Sequence, residues 1–148
     1  MANKNLVKHL NTYLSDLHVL YTKLHNFHWN VEGRSFYQLH ATLEGLYDNV
    51  AEELDAVAER ILMIGERPLA KMADYLENSK IKEVESKSIK GDEIAKSVLK
   101  DFEYIMQTLK EGIEIAEEND DPVTADMLTG SLAQYEKSAW MLRAYLAE

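Results

Sequence analysis

The sequence of 148 residues contains no cysteine, 2 prolines and 6 glycines. Without cysteine there are no disulfides and no thiolate metal sites, so any metal chemistry must use imidazole and carboxylate. Scarce proline and glycine leave room for long, uninterrupted elements. No window approaches ~18 unbroken apolar residues, which argues against a membrane span. The start, MANKNLVKHL, lacks the apolar core of a secretory signal, and the expectation is a cytoplasmic protein. No strand pattern, internal repeat or second domain is visible, so residues 1–148 read as a single domain. GxGxxG, Walker and GxSxG sequences are all missing, and with scattered serines nucleophilic catalysis has no local signature. Basic residues are also in short supply. Lys and Arg number 16 against 26 Asp and Glu, a net charge of −10, and they are dispersed. Such a surface repels phosphate backbones and attracts cations.

What is present is helical periodicity. From about Asn5 to Asn30, apolar residues fall three and four apart at Leu6, Leu10, Tyr13, Leu14, Leu17, Leu20, Leu24 and Phe27, the pattern of an amphipathic helix. Val31-Glu32-Gly33-Arg34 breaks it. Ser35 and Gln38 fit a capping box for a second helix running to about Ile64, with Gly65 as its stop. Pro68 to Asn78 suggests a short helix with Pro68 in its first turn, and Ser79 to Lys90 reads as a polar connector. A third long helix spans Asp92 to Glu118 and ends at Asn119-Asp120-Asp121. Asp121 then caps a fourth, with Pro122 at its first position. Four long amphipathic helices with one long connection predict an all-α, ferritin-like four-helix bundle with a crossover between the second and third.

The remaining chemistry is histidine plus carboxylate, a donor set suited to iron, manganese or zinc. A di-iron site inside one bundle would need Glu-x-x-His motifs, and none exists; all five histidines precede residue 41. On the second helix His40, Glu44, Asp55 and Glu59 share about 100° of arc. His40 and Asp55 are nevertheless about 22 Å apart along the axis, far beyond a metal's reach of about 2 Å. An antiparallel second copy, related by a two-fold near residues 48 and 49, would set position 40 between Asp55 and Glu59 of the partner. His28 could join through the Gly33 turn. If these residues hold one metal, the site lies between subunits. Plainer readings stand beside this one: core histidines for His28 and His40, and solvated or ion-paired acids for Asp55 and Glu59.

The stretch HNFHWNVEGRSFYQLHATLEGLYDNVAEELDAVAER resembles the signature region of Dps proteins, the twelve-subunit mini-ferritins. The match includes His28-Trp29-Asn30-Val31, Gly33, Phe36, Leu39-His40 and Asp55 through Ala58-Glu59-Arg60, with ligand spacings of 12, 15 and 4. DDPVTADML and Trp140-Met141-Leu142-Arg143-Ala144 extend the resemblance over essentially the whole chain. It implies a ferroxidase that oxidises Fe(II), preferentially with hydrogen peroxide, and stores ferric mineral in a hollow dodecamer built from two-fold dimers. The implied ligands are His28 and His40 from one subunit with Asp55 and Glu59 from the other. Glu44 would hold a second, weaker iron, and Trp29 would act as a sink for oxidising equivalents. Asp48 and Glu52 are nucleation candidates. Asp121 and Asp126, with Asp120, match a three-fold pore region, although Pro122 looks like an insertion there. The Lys-rich tails with which some members bind DNA have no counterpart: only Lys4 and Lys8 stand near the start, and the end reads Ala147-Glu148. DNA protection would then be chemical. The alternatives are a DNA-compacting protein and a metal-free helical oligomer.

Overall fold

In the computed structural model, residues 3–147 are described. Met1, Ala2 and Glu148, which belong to the terminal segments read above, lie outside the described residues. The chain runs through α1 (Lys4–Asn30), β1 (Val31–Glu32), α2 (Phe36–Met63), α3 (Met72–Asn78), β2 (Ile89–Lys90), α4 (Gly91–Glu118) and α5 (Pro122–Leu146). The four long helices form a bundle in which α1 packs mainly on α2, and α4 on α5. A crossover containing α3 joins the two pairs, so the fold is all-α and ferritin-like, as the periodicity predicts. None of the described helices is long and apolar enough to cross a membrane.

The stripes face inward as their spacing requires. All eight apolar positions of α1 from Leu6 to Phe27 are buried, as are Leu39, Leu43, Val50, Val57 and Ile61 of α2. Burying each such leucine or isoleucine contributes about 1.5–3 kcal/mol. Two buried polar contacts set the register of the layers. Asp16 of α1 accepts hydrogen bonds from Ser79 Oγ (2.8 Å), the Lys80 amide (2.8 Å) and Tyr104 Oη (2.6 Å), clamping the crossover onto α1 and α4. Lys23 and Asp101 form a buried ion pair at 2.7 Å between α1 and α4. Burial raises the Asp101 carboxyl above its usual range, with Lys23 opposing it.

The structure corrects three local expectations. Ser35 stands at the head of α2 but makes no capping hydrogen bond, so there is no capping box. Its backbone is at φ −89°, ψ 9° rather than extended, and its Oγ instead accepts from Tyr145 Oη at 2.6 Å. The helix predicted from Pro68 begins only at Met72. The segment before it is tied down by the Leu69 amide donating to Asn11 Oδ1 (2.9 Å) and Tyr75 Oη donating to the Leu69 carbonyl (2.8 Å). Finally, β1 and β2 pair in parallel, Val31 with Ile89 and Glu32 with Lys90. A two-residue strand is too short to show an alternating pattern. This pairing fixes the α1–α2 turn to the end of the crossover.

Candidate metal centre

The sequence builds the first half of the site locally. α1 ends in extended backbone at Val31, and Gly33, at φ +110°, takes a conformation that side chains disfavour. The Phe36 amide then donates to the Gly33 carbonyl at 3.1 Å, and α2 returns along α1. That return places His28 against His40. Each ring nitrogen Nδ1 lies on the other residue's carbonyl oxygen, at 2.6 Å from His28 and 2.8 Å from His40. A carbonyl can only accept, so both Nδ1 atoms carry the proton and both Nε2 lone pairs are left for a ligand. The imidazoles stack at 3.7 Å and 13°, with Phe36 continuing the column over His40 at 5.0 Å. His28 is buried, at 6% exposure. Orientation and tautomer are therefore preset, as metal-binding imidazoles require.

Asp55 and Glu59 lie toward the far end of α2, exposed, about 22 Å and about 28 Å along the axis from His40. Glu44, Asp48 and Glu52 are also exposed on this helix. The structure brings His28 and His40 together and does not bring Asp55 or Glu59 to them within one chain. Among the described residues, no three His, Cys, Asp or Glu side chains of the chain converge. The inner face of α2 differs. Glu53 Oε2 accepts from Tyr13 Oη (2.7 Å) and Ser131 Oγ (2.6 Å), crosslinking α1, α2 and α5. Burial, then the neighbouring Tyr135 and Glu53, hold the Tyr13 phenol well above its usual value.

Trp29 is not a core residue; it is 70% exposed. Its ring lies 5.3 Å from His25. Besides Phe36 on His40, Tyr47 also touches the imidazole pair, edge-on to His28 at 5.3 Å, and stacks on His25 at 3.7 Å. In the sequence Tyr47 falls among the apolar positions of the second helix, with Leu43, Leu46 and Val50, and His25 carries no motif. The available signal was spacing: His25 precedes His28 by three and Trp29 by four, so all three lie on one side of α1. Partial burial, with Glu44, Asp48 and Tyr21 nearby, raises the Tyr47 phenol.

At the head of α5, Asp121 is occupied as a helix cap. It accepts from the Thr124 amide (3.0 Å), Thr124 Oγ1 (2.5 Å) and Arg60 Nη2 (2.9 Å), while Arg60 Nε donates to Thr124 Oγ1 at 2.8 Å. Burial pushes the Asp121 carboxyl up. The Thr124 hydrogen bonds and the Arg60 charge outweigh that push and hold it below its usual value. Asp126 and Asp120 are exposed beside it, with Glu117 lining the same open depression.

Comparison with known proteins completes the picture. A family described as "Ferritin-like domain" matches residues 7–148. The DNA protection during starvation protein 2 of Bacillus anthracis is 45% identical, over 97% of this chain and 98% of that one. A Dps crystal structure from Bacillus brevis superposes with a TM-score of 0.95 at 41% identity, covering 99% of this chain and 97% of that one. The Dps protein of Vibrio cholerae O1, described as a member of a broad superfamily of ferritin-like diiron-carboxylate proteins, superposes at 0.94 with 31% identity, covering 99% and 91%. With near-complete coverage in both directions and the preset His28–His40 pair in place, the chain belongs to the Dps family of ferritin-like proteins.

Proposed function

We propose that this chain is an iron-storing ferroxidase acting in the cytoplasm as a single ferritin-like unit. Its substrates are Fe(II) and, preferentially, hydrogen peroxide. His28 and His40 of one subunit and Asp55 and Glu59 of a two-fold partner form the site, with Glu44 at a second, weaker iron position. The observation that carries this reading is the His28–His40 clasp, which leaves two Nε2 donors that, among the described residues, no carboxylate of the same chain joins. Two-fold closure then yields two equal sites per dimer.

The chemistry follows from the donors. Two Fe(II), one hydrogen peroxide and two protons give two Fe(III) and two waters. Carboxylate oxygens favour the ferric product, and neutral imidazoles hold the ferrous substrate without adding charge. Two-electron consumption of peroxide releases no hydroxyl radical. Asp48 and Glu52 would nucleate the mineral inside the shell, and Asp126 with Asp120 would line an approach for Fe(II). Asp121 is committed to capping and to Arg60, and would shape that approach more than bind within it. Twelve chains of 17.0 kDa give a shell of about 200 kDa. The relatives' names speak of DNA protection; a net charge of −10 favours chemical protection over direct contact with DNA.

The test is complementation. A His28→Gly/His40→Gly variant and an Asp55→Ala/Glu59→Ala variant should each lose fast peroxide-driven oxidation while keeping the assembled mass. Unfolded together and refolded, they should recover about a quarter of the wild-type sites, because half the dimers are mixed and each mixed dimer has one intact site. No recovery in properly mixed shells would overturn the shared site.

A further inference from the structure

Arg60 ties the end of α2 to the head of α5 with all three of its guanidinium nitrogens. Nε donates to Thr124 Oγ1 at 2.8 Å, Nη2 to Asp121 Oδ1 at 2.9 Å, and Nη1 to Met63 Sδ at 3.9 Å. The third contact is the weak one, because a thioether is a poor acceptor. Met63 closes α2 three residues after Arg60, on the same side of the helix. It is also 70% exposed. Met72 and Met141 are exposed too, at 61% and 54%, yet among the described residues neither sulfur meets a hydrogen-bond donor. In the antiparallel pairing proposed above, position 40 stands opposite position 57, so Met63 stands opposite position 34, ahead of the partner's α2. Its sulfur therefore stays outside the overlap of the paired helices.

We propose that Met63 is a site of peroxide modification, where oxidation to the sulfoxide locks the end of α2 to the head of α5 through Arg60. Peroxide is the co-substrate of the function proposed above, but the step needs no iron. A sulfur lone pair forms the S–O bond as the O–O bond of hydrogen peroxide breaks. The departing oxygen takes the proton of the transferred one and leaves as water. Sulfur loses two electrons and peroxide gains them. Arg60 Nη1 stands where it can donate to that departing oxygen, on which negative charge grows as the bond breaks. This sets Met63 apart from Met72 and Met141. The product carries a polar oxygen on the side where a cation already donates. At 3.9 Å the sulfur leaves room for that oxygen to meet Nη1 at hydrogen-bond length, and a bond from a charged donor is far stronger than a thioether contact. Nε and Nη2 need not let go, so Asp121 keeps both its cap and its ion pair. The head of α5 lies beside Asp120 and Asp126, the candidate approach for Fe(II), so a history of peroxide is recorded there as a stiffer rim. Reduction of the sulfoxide resets the joint.

The experiment treats the assembled full-length protein, free of iron, with hydrogen peroxide, then maps sulfoxides by peptide mass spectrometry and follows amide hydrogen exchange. Met63 should oxidise several-fold faster than Met72 or Met141. The Thr124 and Ala125 amides donate to Asp121 Oδ1 and to the Asp121 carbonyl. Their exchange should slow by about tenfold after oxidation, as one added hydrogen bond to a charged group allows. Met63→Leu should show no such slowing. Met63→Gln offers Nη1 a carbonyl oxygen without any oxidation, and should show the slowing before peroxide is added. Oxidation of Met72 or Met141 ahead of Met63, a Met63 sulfoxide that leaves both amides unchanged, or equal slowing in Met63→Leu would each sink the proposal. None of these readouts uses Fe(II), so loss of the ferroxidase reading would leave them standing.

Discussion

Glu53 and Asp55 sit two residues apart on α2 and have opposite circumstances. Glu53 points into the bundle and has its donors supplied by Tyr13 and Ser131. Asp55 points outward with Glu59, Glu44, Asp48 and Glu52, and among the described residues none of these five takes part in a side-chain hydrogen bond or an ion pair. The inner carboxylate costs stability if removed, because its donors are buried with it. The outer ones hold no partner among the described residues. One helix thus carries a face satisfied within the bundle and a face of carboxylates left unpaired among the described residues.

The sharpest way to break this contrast is to exchange the consequences. Replacing Asp55 and Glu59 by Ala should lower peroxide-driven Fe(II) oxidation by more than roughly 100-fold, beyond the cost of losing a supporting partner. Denaturant stability should move by less than about 0.5 kcal/mol per substitution. A stopped-flow rate near wild type would erase the functional face. Glu53→Ala should do the reverse, costing about 2–3 kcal/mol in denaturant unfolding by orphaning two hydroxyls, with the oxidation rate of the assembled protein unchanged.

Smaller effects probe the supports at either end of α2. At Gly91 a Cβ would lie 2.7 Å from Leu39 Cδ1, 2.9 Å from Tyr145 Oη and 3.0 Å from Ser35 Cβ. Gly91→Ala should therefore cost about 1–3 kcal/mol by overpacking, read from the shift in denaturation midpoint. At the other end, Asp121→Asn keeps a capping side chain but removes the charge that faces Arg60 at 2.9 Å, and should cost up to about 1 kcal/mol at neutral pH. The folded Asp121 carboxyl lies below its unfolded value, so its contribution is present above the unfolded value and lost as pH falls through the folded one. Wild type and Asp121→Asn should converge in stability below about pH 4. A gap that persists into acid would show that charge at Asp121 is not what matters.

Long-range periodicity was the legible part of this fold. The stripe from Leu6 to Phe27 and the one from Leu39 to Ile61 fix which sides face inward, and both helices lie within a residue or two of their expected limits. Local chemistry was less legible. Ser35 has the right residue type for a cap, but its hydroxyl is taken by Tyr145, a partner 110 positions away that no window of sequence contains. Pro68 fails to start α3 because Asn11 holds the neighbouring Leu69 amide from another helix. At the candidate site, the spacing made His28 and His40 candidates and showed the distance separating His40 from Asp55. The reciprocal carbonyl contacts that set both tautomers appear only once the Gly33 turn brings the helices together. Tyr47 was hidden for a different reason: an aromatic at a stripe position reads as packing, and its contact with His28 depends on the same turn.

That turn also has a consequence in time. The clasp joins residues only 12 apart in sequence, and loops of that size close in about 10–100 ns, whereas subunits meet in about milliseconds to minutes at a pace set by concentration. A newly made chain therefore spends most of its life before assembly with its imidazoles already arranged and its carboxylates still far away. On the proposed shared site it would hold Fe(II) only loosely in that interval, and redox competence would appear in a population of new chains at the second-order rate of pairing, which doubles per chain when the chain's concentration doubles.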